Sequence, residues 1–168
     1  KEKEFIVVSL HREENVDSIE NLKNIVNSIN QIVMVYKKKI IFSIHPRTKK
    51  KLVSFGLENK LSDDVIQSKP LGFNDYIKLQ QNSFCVISDS GTISEESSIL
   101  KFPAITIRQS HERPEAMDEG TIIMTGFLTK NIIDSIKIVT ETSIEKIRTA
   151  MDYKHENVSE KVVRILFS

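Results

Sequence analysis

Five short segments concentrate the side chains able to do chemistry. They are Ser9-Leu10-His11-Arg12, Ser43-Ile44-His45-Pro46, Pro70-Leu71-Gly72-Phe73, Ser88-Asp89-Ser90-Gly91-Thr92 and Gln109-Ser110-His111-Glu112-Arg113-Pro114-Glu115. Each follows a run of apolar, largely β-branched residues, and three of the four histidines fall inside them. In Ser88-Asp89-Ser90-Gly91-Thr92 a strand-like run ends, small residues turn, and a helical pattern begins. Unpaired backbone N–H groups and the positive end of a helix dipole meet at such a point, which suits a diphosphate. Gly91 allows close backbone approach, and the Ser90 and Thr92 hydroxyls can add hydrogen bonds.

Plain helix capping competes with that reading. Thr92-Ile93-Ser94-Glu95 has the capping-box spacing, with Glu95 reaching back to the Thr92 N–H. Glu96 lies one turn beyond Thr92 on the same helical face, where a carboxylate can accept hydrogen bonds from two ribose hydroxyls. An exposed helix glutamate fits the same position. His11 can exchange a proton with a departing group and Arg12 can contact phosphate, although a capping histidine beside a solvated arginine is equally compatible. His45 precedes Pro46, as histidines that shape loops often do. Pro114 suits a helix start, with Glu115 and Asp118 favourable to its dipole, which leaves Arg113 to aim at the phosphate pocket. No His or Cys pair has the spacing of a structural zinc site, so no metal is expected. Asp89-Ser90-Gly91 lacks the leading glycine of a nucleophile elbow, and no strand is followed by a dinucleotide glycine fingerprint.

Alternating strands and helices must position these segments. Phe5-Ile6-Val7-Val8, Ile40-Ile41-Phe42, Asp64-Val65-Ile66, Phe84-Cys85-Val86-Ile87, Ala104-Ile105-Thr106-Ile107 and Thr121-Ile122-Ile123-Met124 read as strands. Ile19, Leu22, Val26, Ile29 and Val33 step by three and four along one helix face. Helices are also expected around Tyr76 to Leu79, from Gly91 to Lys101, and beyond Phe127, where Val158, Val162, Val163 and Leu166 form a last amphipathic stripe. This alternation predicts an α/β fold, a doubly wound parallel sheet of Rossmann-like type whose ligands lie beyond the strands' carboxyl ends. Residues 55 to 62 are the most linker-like stretch but too short to divide domains.

The chain has 168 residues, 39% hydrophobic and 28% charged, as expected for one globular domain. A formal charge of +1 argues against nucleic acid as a partner. The lysine groups at 37–39 and 49–51 read as solvated helix ends and loops. Cys85, the single cysteine, sits in an apolar run and reads as a buried structural thiol. No stretch approaches the length of a membrane span, and a reducing cytoplasmic setting is the expectation. The start, with no initiator Met and a strand almost at once, suggests a piece cut at a domain boundary.

Three motifs carry a resemblance. Ser9-Leu10-His11-Arg12-Glu13-Glu14-Asn15, Ser88-Asp89-Ser90-Gly91-Thr92-Ile93-Ser94-Glu95-Glu96 and Glu112-Arg113-Pro114-Glu115-Ala116 together resemble the non-hydrolysing UDP-N-acetylglucosamine 2-epimerases. The resemblance runs from about Phe5 to Gly126, in the second, C-terminal domain of a two-domain architecture like that of the B-type glycosyltransferases. Residues 1–168 would then form one nucleotide-binding domain, with the N-terminal domain absent. The resemblance implies UDP held by Ser90, Gly91 and Thr92 on the diphosphate, Glu96 on the ribose, Arg113 on phosphate and Phe73 beside uracil. His11 matches the catalytic-site histidine, while Arg12 and His45 match positions of a regulatory UDP-sugar in some bacterial members. It implies no cofactor, a UDP-sugar substrate and, at full length, a homo-oligomer, expected as a dimer.

Two departures refine the expectation. Thr92 stands where the commoner pattern has a second Gly, and together with residues 110–120 it resembles epimerases that complete UDP-N-acetyl-L-fucosamine for bacterial capsule or O-antigen polysaccharide. His45-Pro46-Arg47 replaces a pattern with an Asn-Pro shortly after the histidine, which bears on the regulatory site. The alternatives are formation of UDP-N-acetylmannosamine from UDP-N-acetylglucosamine, the donor domain of a glycosyltransferase, a hydrolysing epimerase, or a nucleotide-sugar sensor.

Overall fold

The computed structural model describes residues 2–110 and 114–168. Six strands form one parallel sheet: β1 (Phe5–Leu10), β2 (Lys39–Ile44), β3 (Val65–Ser68), β4 (Cys85–Ser88), β5 (Ala104–Thr106) and β6 (Ile123–Met124). Their order is β3-β2-β1-β4-β5-β6, the doubly wound Rossmann arrangement, which reverses direction between β1 and β4. In register, Leu10 lies opposite Ile44 and Ser9 opposite Ser88, so the chain leaves β1, β2 and β4 side by side.

The strands are apolar on both faces because both are covered. Ile6, Val8 and Leu10 of β1 enter one core cluster with Leu22, Ile25 and Ile29 of α2 (Ile19–Tyr36). Val7 points the other way, into a smaller cluster with Val86, Ile93, Phe102 and Ala104. α2 starts where the Ser18 hydroxyl accepts the Asn21 N–H at 3.2 Å, and ends on Lys37 in the left-handed region. On the same face lies α7 (Thr129–Glu141), tied to α2 by a 2.8 Å hydrogen bond between Ser28 and Thr129 and by the Tyr36 hydroxyl on the Ile133 carbonyl.

The linker-like reading of residues 55 to 62 is corrected. Leu57 is buried, and the Asn30 amide clamps the segment, donating to the Lys60 carbonyl at 2.7 Å and accepting the Ser62 N–H at 2.9 Å. Cys85 is buried as expected, and burial pushes its thiol pKa up. The last stripe forms α8 (Val158–Leu166), and its Val158, Val162, Val163 and Leu166 are all exposed. Among the described residues no helix is long and apolar enough to cross a membrane.

Candidate active site

A polar network joins the carboxyl edges of β1 and β4. Directly after β1 the backbone N–H of His11 donates to both Asp89 carboxylate oxygens at 3.1 Å, and the Arg12 N–H donates to Oδ2 at 3.0 Å. Asn15, on the short helix α1 (Glu13–Val16), donates its amide to Asp89 Oδ2 at 2.7 Å and to the Ile107 carbonyl at 3.2 Å. Asp89 is thus a fully buried anion enclosed by donors from segments more than seventy residues away. Its role is absent from the sequence reading, because only the β1–β4 pairing brings those donors to it.

The His11 ring lies on the same carboxylate, with Nδ1 3.2 Å from Oδ1 while nearly half the side chain stays exposed. The Asp89 bond raises the His11 pKa above its ordinary value against partial burial, which pulls it down. For Asp89, burial alone would raise the carboxyl. The hydrogen bonds from His11, the Arg12 amide and Asn15 outweigh it and hold the group below its ordinary range. With Nδ1 turned to an anion, Nε2 is the ring nitrogen left to exchange a proton, accepting one on a neutral ring and donating one from a charged ring.

Arg12 folds back rather than outward: its Nε donates to the Asp89 carbonyl at 2.8 Å. His45 is the N-cap of α3 (Pro46–Ser54), its Nδ1 accepting the Arg47 N–H at 3.3 Å, and its ring lies 6.2 Å from that of His11. Arg47 bridges Glu13 and Asp17, with Nε 3.3 Å from Asp17 Oδ1, so the residue that departs from the commoner pattern locks α1 to α3.

Beyond β4 the turn 89–92 leads into α5 (Ile93–Leu100). The Ser90 N–H is taken by the Ser88 hydroxyl at 3.1 Å, and the Ser90 and Thr92 hydroxyls bond each other at 3.0 Å. The capping-box expectation fails for Thr92. Its backbone is already helical and its side chain makes no capping bond, because the hydroxyl turns to Ser90 instead. The helix still begins at Ile93 with Thr92 as its N-cap residue, two residues after the expected start at Gly91, and both hydroxyls stay at the surface of the turn.

Glu96 is half-buried and accepts a 2.7 Å hydrogen bond from the amide of the buried Gln80, on α4 (Phe73–Asn82). Phe73, the first residue of that helix, is 78% exposed. His11, Ser90, Gly91, Thr92 and Glu96 thus share the β1–β4 edge, with Phe73 at the head of the adjoining helix. Arg113 lies outside the described residues, as does His111. Among the described residues no group of three His, Cys, Asp or Glu side chains could hold a metal ion.

A protein-family model described as UDP-N-acetylglucosamine 2-epimerase matches residues 1–167. A relative of that name from Methanocaldococcus jannaschii is 38% identical over 165 residues, covering 97% of this chain and 44% of the relative. A crystal structure of that archaeal protein with UDP-GlcNAc and UDP superposes with a TM-score of 0.90, covering 98% of this chain and 45% of that one. A UDP-2,3-diacetamido-2,3-dideoxy-D-glucuronate 2-epimerase from Pseudomonas aeruginosa is 32% identical over 133 residues, covering 79% of this chain and 36% of that protein. The chain therefore spans less than half the length of these relatives.

Proposed function

This chain belongs to the UDP-N-acetylglucosamine 2-epimerase family, and we propose that it is the C-terminal, nucleotide-binding half of an enzyme inverting C2 of a UDP-linked 2-acetamido sugar. The observation that carries the reading is the buried Asp89 holding His11 next to the Ser90–Thr92 hydroxyl pair at a sheet's switch point.

The chemistry explains the parts. The C2 proton of such a sugar is not acidic, since no carbonyl adjoins it, so direct deprotonation is ruled out. Instead the anomeric C–O bond breaks with its electron pair leaving on UDP, and loss of the C2 proton gives a glycal. Reprotonation of C2 from the opposite face and return of the UDP oxygen to C1 complete the inversion. Expulsion needs a stabilised diphosphate and carboxylates near an oxocarbenium-like centre. Ser90, Gly91 and Thr92 take the diphosphate, Arg113 a phosphate, Glu96 the ribose and Phe73 the uracil face, while His11, whose pKa Asp89 raises, answers the charge developing on the leaving oxygen. The acid and base carboxylates come from the N-terminal half, and the exposed apolar face of α8 suits packing against that half. The isolated chain then binds UDP without turning over.

The finer reading is a UDP-N-acetyl-L-fucosamine product for a bacterial surface polysaccharide, supported by Thr92 and residues 110–120. A UDP-N-acetylmannosamine product is the second reading, favoured by the names of the relatives. Arg12 and His45 are the candidates for a regulatory nucleotide, beside the His11 ring. Incubating a two-domain protein that contains this chain with each UDP-sugar in deuterated water tests the proposal. Deuterium at C2 of an inverted product supports it, and inversion without deuterium at C2, or transfer of the sugar to an acceptor, overturns it.

A further inference from the structure

From the pairing of the Gln80 side-chain amide with the Glu96 carboxylate, we infer that Gln80 is a positioning residue that fixes Glu96 for the two hydroxyls of a ribose. The inference rests on the nucleotide-site reading above and goes beyond it by naming what sets sugar discrimination.

Gln80 is 1% exposed, and its Nε2 donates to Glu96 Oε2 at 2.7 Å. The carboxylate dictates the amide's orientation, because only the NH2 end can face an acceptor. The amide oxygen, turned away, has no hydrogen-bond partner in its buried site. An apolar side chain of similar volume would fill that space without leaving an orphaned oxygen. Packing therefore does not account for an amide here, whereas its bond to Glu96 does.

Tyr76 lies one turn before Gln80 on the same face of α4, packed against the smaller core cluster. Burial pushes its hydroxyl pKa up to about 12, so it stays neutral. Glu96 sits on the first turn and a half of α5, and its carboxylate would otherwise rotate freely at a half-buried surface. With Oε2 pinned from behind, the two oxygens keep a fixed plane and still offer lone pairs to neighbouring hydroxyls. Pre-organisation of this kind raises discrimination between a diol and a single hydroxyl.

The test measures binding of UDP and of 2′-deoxy-UDP to this chain by calorimetry, for the parent and for Gln80→Leu. The parent is expected to prefer UDP by about tenfold, and the variant to bind both within about twofold while unfolding as cooperatively as the parent. A folded variant that keeps the parent's preference overturns the role of Gln80 and leaves the nucleotide-site reading standing. A parent that binds no UDP overturns both, and one that binds UDP without preference overturns the ribose contact and with it this role. Should Gln80→Leu not fold, the side-chain amide resonances of Gln80 in the parent decide. They are expected to shift with UDP and less with 2′-deoxy-UDP, and equal or absent shifts overturn the inference.

Discussion

Asp89 grips His11 at two points, taking its backbone N–H on both carboxylate oxygens at 3.1 Å and facing its ring Nδ1 at 3.2 Å. The double hold fixes both the start of the segment and the direction of the imidazole, so Nε2 has one way to point. A buried carboxylate is costly unless its lone pairs are filled, and here two amides, a ring and the Asn15 side chain fill them.

Asp89→Asn should therefore act on His11 before it acts on anything else. The amide cannot hold an imidazolium, so the His11 pKa, raised in the parent, should fall to or below the ordinary value of about 6.5. The buried donors left mismatched should lower stability by about 3 kcal/mol. Histidine resonances followed through a pH titration give the first result and denaturant unfolding the second. An unchanged His11 midpoint in the folded variant would show that Asp89 does not set its charge.

The same pair predicts a pH profile. His11, with a raised folded pKa, contributes stability fully below its unfolded pKa of about 6.5, and that contribution is lost as pH rises through the folded value. Asp89, with a lowered folded pKa, contributes above about 3.9 and is lost as pH falls through its folded value. Both terms are present together between roughly pH 4 and 6.5. The melting-temperature gap between the parent and His11→Gln should be widest in that window and shrink towards pH 9. A gap that widens with alkaline pH would contradict the linkage.

The sheet was legible because strands covered on both faces leave continuous apolar runs, as in Phe5 to Val8 and Phe84 to Ile87, each ending in small polar residues. For that reason the edge segments carrying His11, His45 and Ser90 could be located before any strand order was known. Asp89 and Gln80 were not legible as site residues. Their partners stand 74 to 78 and 16 positions away, and sequence spacing holds no signal for a contact made through a sheet crossover. Thr92 misled for the opposite reason: its spacing to Glu95 obeys a local rule that the 3.0 Å bond to Ser90 overrides. The stripe of α8 was readable as amphipathic, yet the pattern cannot say which surface it covers, and its apolar residues are exposed.

Phe73 should separate binding from stability. Being 78% exposed at the head of α4, it contributes little to the core, so Phe73→Ala should change unfolding free energy by less than about 0.5 kcal/mol. If its ring lies on uracil, stacking worth about 1–3 kcal/mol is lost, and the UDP dissociation constant should rise by about tenfold. Inorganic diphosphate, which has no base, should bind the variant and the parent alike. An equal loss for both ligands would place Phe73 outside the base site.

The Ser90–Thr92 pair makes the complementary prediction for phosphate. In the absence of ligand the two hydroxyls satisfy each other at 3.0 Å, so a diphosphate must exchange that bond for bonds to its own oxygens. Ser90→Ala removes one donor to phosphate and also frees the Thr92 hydroxyl, and the two effects oppose each other. Thr92→Val removes a donor and leaves the Ser90 hydroxyl unpaired at the same turn. Each single change should therefore weaken UDP by a modest factor, about threefold to tenfold, while the double change should cost less than the sum of the two. Uridine, lacking phosphate, should bind all four proteins equally. Titrations of UDP and uridine against the parent, both single variants and the double variant close the cycle. Additive losses, or losses shared by uridine, would mean that the hydroxyls shape the turn without touching the diphosphate.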